Sequence, residues 1–62
     1  MPLSGNEMLQ IYKKDGWQIL RQKGSQVIVG KASERETIPM HKELKKGLER
    51  YLLNRLKPPK EN

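Results

Sequence analysis

Three kinds of side chain in this 62-residue chain could do chemistry, and two of them meet in one short stretch, Arg21-Gln22-Lys23-Gly24-Ser25-Gln26. Arg21 and Lys23 lead into the Gly-Ser pair and Lys31 lies five residues beyond Gln26, so their cationic heads flank a turn and can line a groove for phosphates leading to position 26. Gln26 brings a carboxamide just past the turn, a group that donates and accepts hydrogen bonds but has no protonation equilibrium near neutral pH. His41 is the only histidine, and so the only imidazole, able to exchange a proton near neutrality. Following a Pro-Met pair, it reads first as a residue that caps or packs near the next helix, and second as a phosphate ligand or secondary acid. Each basic residue taken singly also fits a solvated strand face. As a set with Lys13, Lys14, Lys45 and Lys46 they form a track for a polyanion.

The elements that must hold these residues are legible in the pattern. Ser4 followed by Glu7 is a capping box, and Met8, Leu9, Ile11 and Tyr12 give an apolar face to a helix that starts near Gly5. Lys13 and Lys14 suit its C-terminal end, and Gly16 a left-handed stop. Trp17 to Lys23 alternates as a strand, with Trp17, Ile19 and Arg21 on one side and Gln18, Leu20 and Gln22 on the other. Gly24-Ser25 is a two-residue hairpin turn that needs positive φ at its first position. Gln26 to Lys31, dense in Val27, Ile28 and Val29, is the returning strand. The polar run Ala32-Ser33-Glu34-Arg35 turns the chain into a third strand, Glu36 to Pro39.

Leu44, Leu48, Tyr51, Leu52 and Leu56 then form the stripe of an amphipathic helix from Lys46 to Lys57. Pro58-Pro59 stops it, leaving a frayed Lys60-Glu61-Asn62 tail. Trp17, Tyr12 and Tyr51 are expected to pack inside, the two tyrosines with their hydroxyls at the margin. Helix, three strands, helix predicts an α+β fold: a three-stranded antiparallel meander with both helices on one face, the order of double-stranded-RNA-binding domains. Order alone names no function.

Composition narrows the classes. The length fits one domain, residues 1–62 with a core over about 5–57, and a chain this small builds a single thin core of roughly ten side chains. There is no cysteine, which excludes disulfides and thiolate metal sites. No leader-like N-terminus and no run of 18 apolar residues is present, so the expectation is a soluble cytoplasmic protein without a membrane partner. Thirteen Lys and Arg against seven Asp and Glu give a net charge of +6, which favours RNA or an acidic protein surface as partner. Residues 32 to 39 hold one basic and two acidic groups, so the acidic excess falls on the presumed turn.

Asp15-Gly16-Trp17, Arg21-Gln22-Lys23-Gly24-Ser25, Thr37-Ile38-Pro39-Met40-His41 and Lys42-Glu43-Leu44-Lys45-Lys46-Gly47 together resemble the successive signatures of the HicA toxins, over about residues 5 to 57. The resemblance implies a fold like that of double-stranded-RNA-binding domains, cleavage of mRNA without a metal or other cofactor, and neutralisation by a HicB antitoxin. The net positive charge predicts that the antitoxin's covering surface is acidic. In that family the residue after the Gly-Ser pair is a catalytic histidine. Gln26 occupies that position, which implies an impaired nuclease, since losing a general base costs about 10²- to 10⁴-fold in rate. The intact remainder of the motif set favours an inactivating replacement over gradual decay. The rival reading is a non-catalytic module that binds RNA or titrates an antitoxin.

Overall fold

The computed structural model describes residues 2–56. Along the chain run α1 (Gly5–Lys14), β1 (Gln18–Lys23), β2 (Gln26–Lys31), β3 (Glu34–Pro39) and α2 (Lys46–Leu56). The strands form one antiparallel sheet in the order β1-β2-β3, the α+β arrangement that the sequence predicts. The expected helix end at Lys57, the Pro58-Pro59 stop and the tail lie outside the described residues.

The first helix begins as its capping box dictates. The Ser4 hydroxyl accepts from the Glu7 N–H at 3.0 Å, and the Glu7 carboxylate accepts from the Ser4 N–H at 2.9 Å, so two otherwise unsatisfied donors are answered reciprocally. The other end closes at Gly16, whose φ of 100° is open to glycine at no steric cost. Gly5 is glycine for a different reason. A Cβ there would stand 2.0 Å from the Pro39 carbonyl oxygen and 2.7 Å from the Met40 Cα, because the start of α1 lies against the backbone at the end of β3. The Gly5 N–H donates to the His41 carbonyl at 2.8 Å and seals that approach.

Cross-strand partners share a face, so the register decides what is covered. Val27 stands opposite Ile38 and is buried with Val29, and these three side chains form the sheet's share of the core. Met8, Leu9 and Tyr12 of α1, Trp17, Leu44, and Leu52 of α2 complete it from the same side. The Tyr12 hydroxyl donates to the Leu52 carbonyl at 2.9 Å and joins the two helices, and its ring meets Trp17 edge-on at 4.9 Å between centroids.

Three expectations are corrected. Strict alternation along β1 fails at a bulge: Ile19 pairs with Val29 but Arg21 pairs with Ile28, so Leu20 is the extra residue and Arg21 stands on the face opposite Ile19. The second turn contracts to Ala32-Ser33, with Lys31 opposite Glu34, so β3 begins two residues early and Glu34 and Arg35 are strand residues. That turn needs positive φ, and Ala32 supplies it at 55°, a conformation glycine would adopt more readily. Finally, Tyr51 is half exposed rather than inside. Its hydroxyl donates to Glu36 Oε2 at 2.8 Å, which also accepts from Arg55 Nε at 2.8 Å, while Arg55 Nη2 reaches Glu34 at 2.8 Å. The Arg55 guanidinium lies 5.7 Å from the Trp17 ring centroid, within cation–π range. A tyrosine that the helical period assigns to the apolar stripe is thus part of a polar clasp between α2 and β3.

Two predictions follow from this packing. Gly5→Ala forces a methyl into the backbone at the end of β3, and is expected to lower stability by about 1 to 3 kcal/mol. A lower urea midpoint at unchanged m-value would register that loss. Burial, and next the charge of Glu36, raise the Tyr12 hydroxyl pKa well above the ordinary tyrosine value of 10.0. In the unfolded chain this tyrosine releases its proton at the lower pH, so the folded state holds a proton that the unfolded state has lost. Stability is therefore full below pH 10 and declines as pH climbs beyond it. Tyrosinate absorbance from Tyr12 should appear only together with unfolding, which alkaline titration of the Tyr51→Phe variant would show.

Candidate nucleic-acid interface

The uncovered face of the sheet carries Gln18, Arg21 and Lys23 from β1, Gln26 and Ile28 from β2, and Arg35 and Thr37 from β3. Glycine at position 30 leaves room on this face. A Cβ there would meet the Leu20 Cδ1 at 2.7 Å and the Arg35 guanidinium at 3.1 Å, so these two side chains close over bare backbone. Arg35 is held there by the Ala32 and Glu34 carbonyls at 3.2 and 2.9 Å. That end of the face is therefore capped by an aliphatic side chain and an arginine.

The opposite end is the Gly24-Ser25 turn. Gly24 has φ of 60°, as the sequence requires, and a Cβ on it would meet nothing within 4 Å. The Ser25 carbonyl accepts the Met40 N–H, which ties the turn to the end of β3, and the Gln22 amide donates to the Gly24 carbonyl at 3.2 Å. Gln22 is a turn-stabilising residue that the strand pattern did not single out. Lys23 and Gln26 stand directly opposite each other at the mouth of the turn, both exposed. The bulge carries Arg21 onto the same face. The structure thus brings together Arg21, Lys23, Gly24, Ser25 and Gln26.

Lys31 does not join them. It ends β2, five residues from Gln26, which at the rise of an extended strand is about 16 Å away. It also falls on the parity of Val27 and Val29 and so belongs to the other face. Its ammonium donates to the Asp15 carbonyl at 2.8 Å and lies 3.3 Å from the Asp15 carboxylate, an ion pair that closes the end of α1 against the sheet. The expectation of Lys31 beside the turn is corrected on that ground: a six-residue strand separates its two ends. Lys13 and Lys14, in the last turn of α1, lie toward the Asp15 end as well. Lys45 and Lys46 open α2, next to Leu44, whose N–H donates to the Leu3 carbonyl just before α1. The seven-residue track is therefore two groups rather than one line.

His41 is exposed and precedes α2 by five residues. Its carbonyl accepts the first N–H of α1. Among the described residues the carboxylates of Asp15, Glu34 and Glu36 form ion pairs with Lys31 and Arg55, whereas Arg21 and Lys23 have none. The acidic excess at residues 34 and 36 is spent on the α2 clasp, and the turn end of the open face keeps its positive charge.

The architecture is that of an α-β-β-β-α module like the double-stranded-RNA-binding domains, with an uncovered sheet face and cations beside its first turn. A family model for the HicA toxin of bacterial toxin–antitoxin systems matches residues 5–57, and the chain belongs to that family. It is accordingly the toxin member of a toxin–antitoxin pair, a family role that implies an antitoxin partner. Neither the curated proteins nor the solved structures gave a match. Among the described residues no helix is long and apolar enough to cross a membrane.

Proposed function

We propose that this chain is an RNA-cleaving toxin whose target ribose lies over the turn end of the open face, with flanking phosphates held by Arg21 and Lys23, and that Gln26 leaves it impaired. The observation that carries the reading is the register. Residue 26 is the first residue past the turn, it faces solvent opposite Lys23, and the unpaired cations share its face. Backbone N–H groups of an open glycine turn and two cations are what a phosphodiester asks for.

The reaction is attack of a ribose 2′-oxygen on the neighbouring phosphorus with departure of the 5′-oxygen, leaving a 2′,3′-cyclic phosphate. It requires proton transfer and charge stabilisation, and this reading assigns it no metal or organic cofactor. A glutamine at position 26 can hold the 2′-hydroxyl or a phosphoryl oxygen by hydrogen bonds, but it cannot remove the proton. The same face is where a HicB-type antitoxin would sit, and an acidic surface on it would complement Arg21 and Lys23. The substrate is mRNA and the compartment the cytoplasm. The amide at position 26 also favours one alternative, a module that binds RNA or titrates antitoxin without cutting.

The direct test is Gln26→His. It is expected to raise cleavage of a single-stranded RNA, measured with chelator present, by about 10²- to 10⁴-fold. A revertant that binds RNA but stays silent would transfer the case to the non-catalytic module. Binding itself should depend on salt through the turn-end cations only. Arg21→Ala and Lys23→Ala should each flatten the slope of log K against log salt by about 0.7, while Lys31→Ala leaves it unchanged. Equal effects from all three would mean that the charge is diffuse and no phosphate site exists at the turn.

A further inference from the structure

We infer that His41 is the proton-transferring residue of this site, an assignment that rests on the RNA-cleavage reading above. Gln26 pairs with Pro39 in the last rung of the β2–β3 ladder, and the Met40 N–H donates to the Ser25 carbonyl, so the pairing runs one residue past β3. His41 then turns its carbonyl away from β2 to the Gly5 N–H, as the alternation of an extended chain requires. The side chains alternate likewise. Ile38 is buried and Met40 packs against the core, so both belong to the covered face. His41 is exposed and continues the parity of Thr37 and of Pro39, the residue that pairs with Gln26 and is itself buried where the start of α1 closes on it.

His41 is thus the diagonal neighbour of Gln26 on the open face. Diagonal pairs in an antiparallel ladder stand about 7 to 8 Å apart, a separation across which one ribose and its phosphate can lie between the two side chains. The backbone at this point is fixed from both sides, by Ser25 across the sheet and by Gly5 at the start of α1. No other side chain among the described residues is an imidazole. The charged residues of the adjoining elements are Lys23 of β1, opposite Gln26, Lys42 and Glu43 next in the chain, and Glu7 in the first turn of α1, whose carboxylate accepts from the Ser4 N–H. These are two cations that would hold phosphate, one carboxylate committed to the helix cap, and the Glu43 carboxylate.

In the step assigned to it, neutral His41 takes the proton of the 2′-hydroxyl as the 2′-oxygen bonds to phosphorus and the bond from phosphorus to the 5′-oxygen breaks. Water protonates the departing 5′-oxygen, and the imidazolium returns its proton to the hydroxide so formed. Gln26 holds the 2′-hydroxyl or a phosphoryl oxygen in place. Proton transfer from position 41 gives the Gln26 chain a residual activity, below that of the Gln26→His variant.

The test measures cleavage of a single-stranded RNA over a range of pH by the parent chain, His41→Gln, Gln26→His and the double variant, alongside binding of the 2′-deoxy analogue and urea unfolding. The parent should cut slowly, at a rate that rises with pH and then levels off, as a general base that must be neutral to act requires. His41→Gln should lower that rate by about 10²- to 10⁴-fold and abolish the pH dependence, with analogue affinity and unfolding midpoint unchanged. Three outcomes overturn the assignment. If His41→Gln cuts like the parent, or the parent is silent while Gln26→His cuts, position 26 alone carries the chemistry and the nuclease reading stands without His41. If His41→Gln weakens analogue binding and keeps the pH profile, the residue is a phosphate ligand. If neither the parent nor Gln26→His cuts RNA that both bind, the nuclease reading falls and the assignment falls with it.

Discussion

A two-residue turn governs which side of β2 meets water. With Lys23 and Gln26 paired across Gly24-Ser25, Val27 and Val29 enter the core and Gln26 and Ile28 leave it. A slip by one residue would exchange these sets, exposing two buried valines and burying an amide without partners. An unsatisfied buried polar group costs about 1 to 3 kcal/mol, which a core of nine buried apolar side chains cannot readily absorb. The same pairing that protects the core therefore delivers residue 26 to the open face. Stability and site geometry are set by one register, and the turn that sets it is itself part of the candidate site.

The second helix is attached differently from the first. The first lies on the backbone at the end of β3, with glycine at the point of closest approach. The second has one fully buried side chain, Leu52, with Leu48, Leu53 and Leu56 partly buried against the core, and adds polar reach: Arg55 to Glu34 and Glu36, Tyr51 to Glu36, and the Leu52 carbonyl accepting from Tyr12. Glu36 sits on the covered face with two donors, and Arg55 lies against Trp17. Hydrogen bonds donated to Glu34 and Glu36 hold the Arg55 guanidinium firmly charged, and the bond donated to Glu36 raises the Tyr51 hydroxyl pKa. In a chain too short for a thick core, part of the second helix's docking has been transferred to a hydrogen-bonded rim.

That arrangement has an electrostatic consequence at a distance. Three of the carboxylates are occupied at the α1 end and the α2 clasp, away from the Gly-Ser turn. The net charge of +6 is therefore not spread evenly, and the open face beside Gln26 is positive without compensation. A toxin of this family, whose role implies an antitoxin partner, gains from such a face, because a partner of opposite charge is steered to it by that field.

The sequence by itself determined the two helices, the capping box, the first hairpin turn, the three strands and the family. Each depends on neighbours within a few residues, and spacing along the chain records such relations directly. It also placed Arg21, Lys23 and Gln26 around the turn. What it could not supply were relations between distant residues. A bulge at Leu20 depends on how β1 meets β2, and nothing in the local alternation marks it. The withdrawal of Lys31 to Asp15 follows from strand length and from the closing of α1 on the sheet. Tyr51 has the spacing of a core residue, but a carboxylate 15 residues away offers its hydroxyl a partner at the rim. His41 reads in sequence as a residue that caps or packs near the next helix, and only the bonds of Met40 to Ser25 and of Gly5 to His41 show how the backbone that carries it is held. Local pattern fixes elements because their hydrogen bonds close within the segment, whereas the site is assembled by bonds that cross between segments and leave no periodic trace.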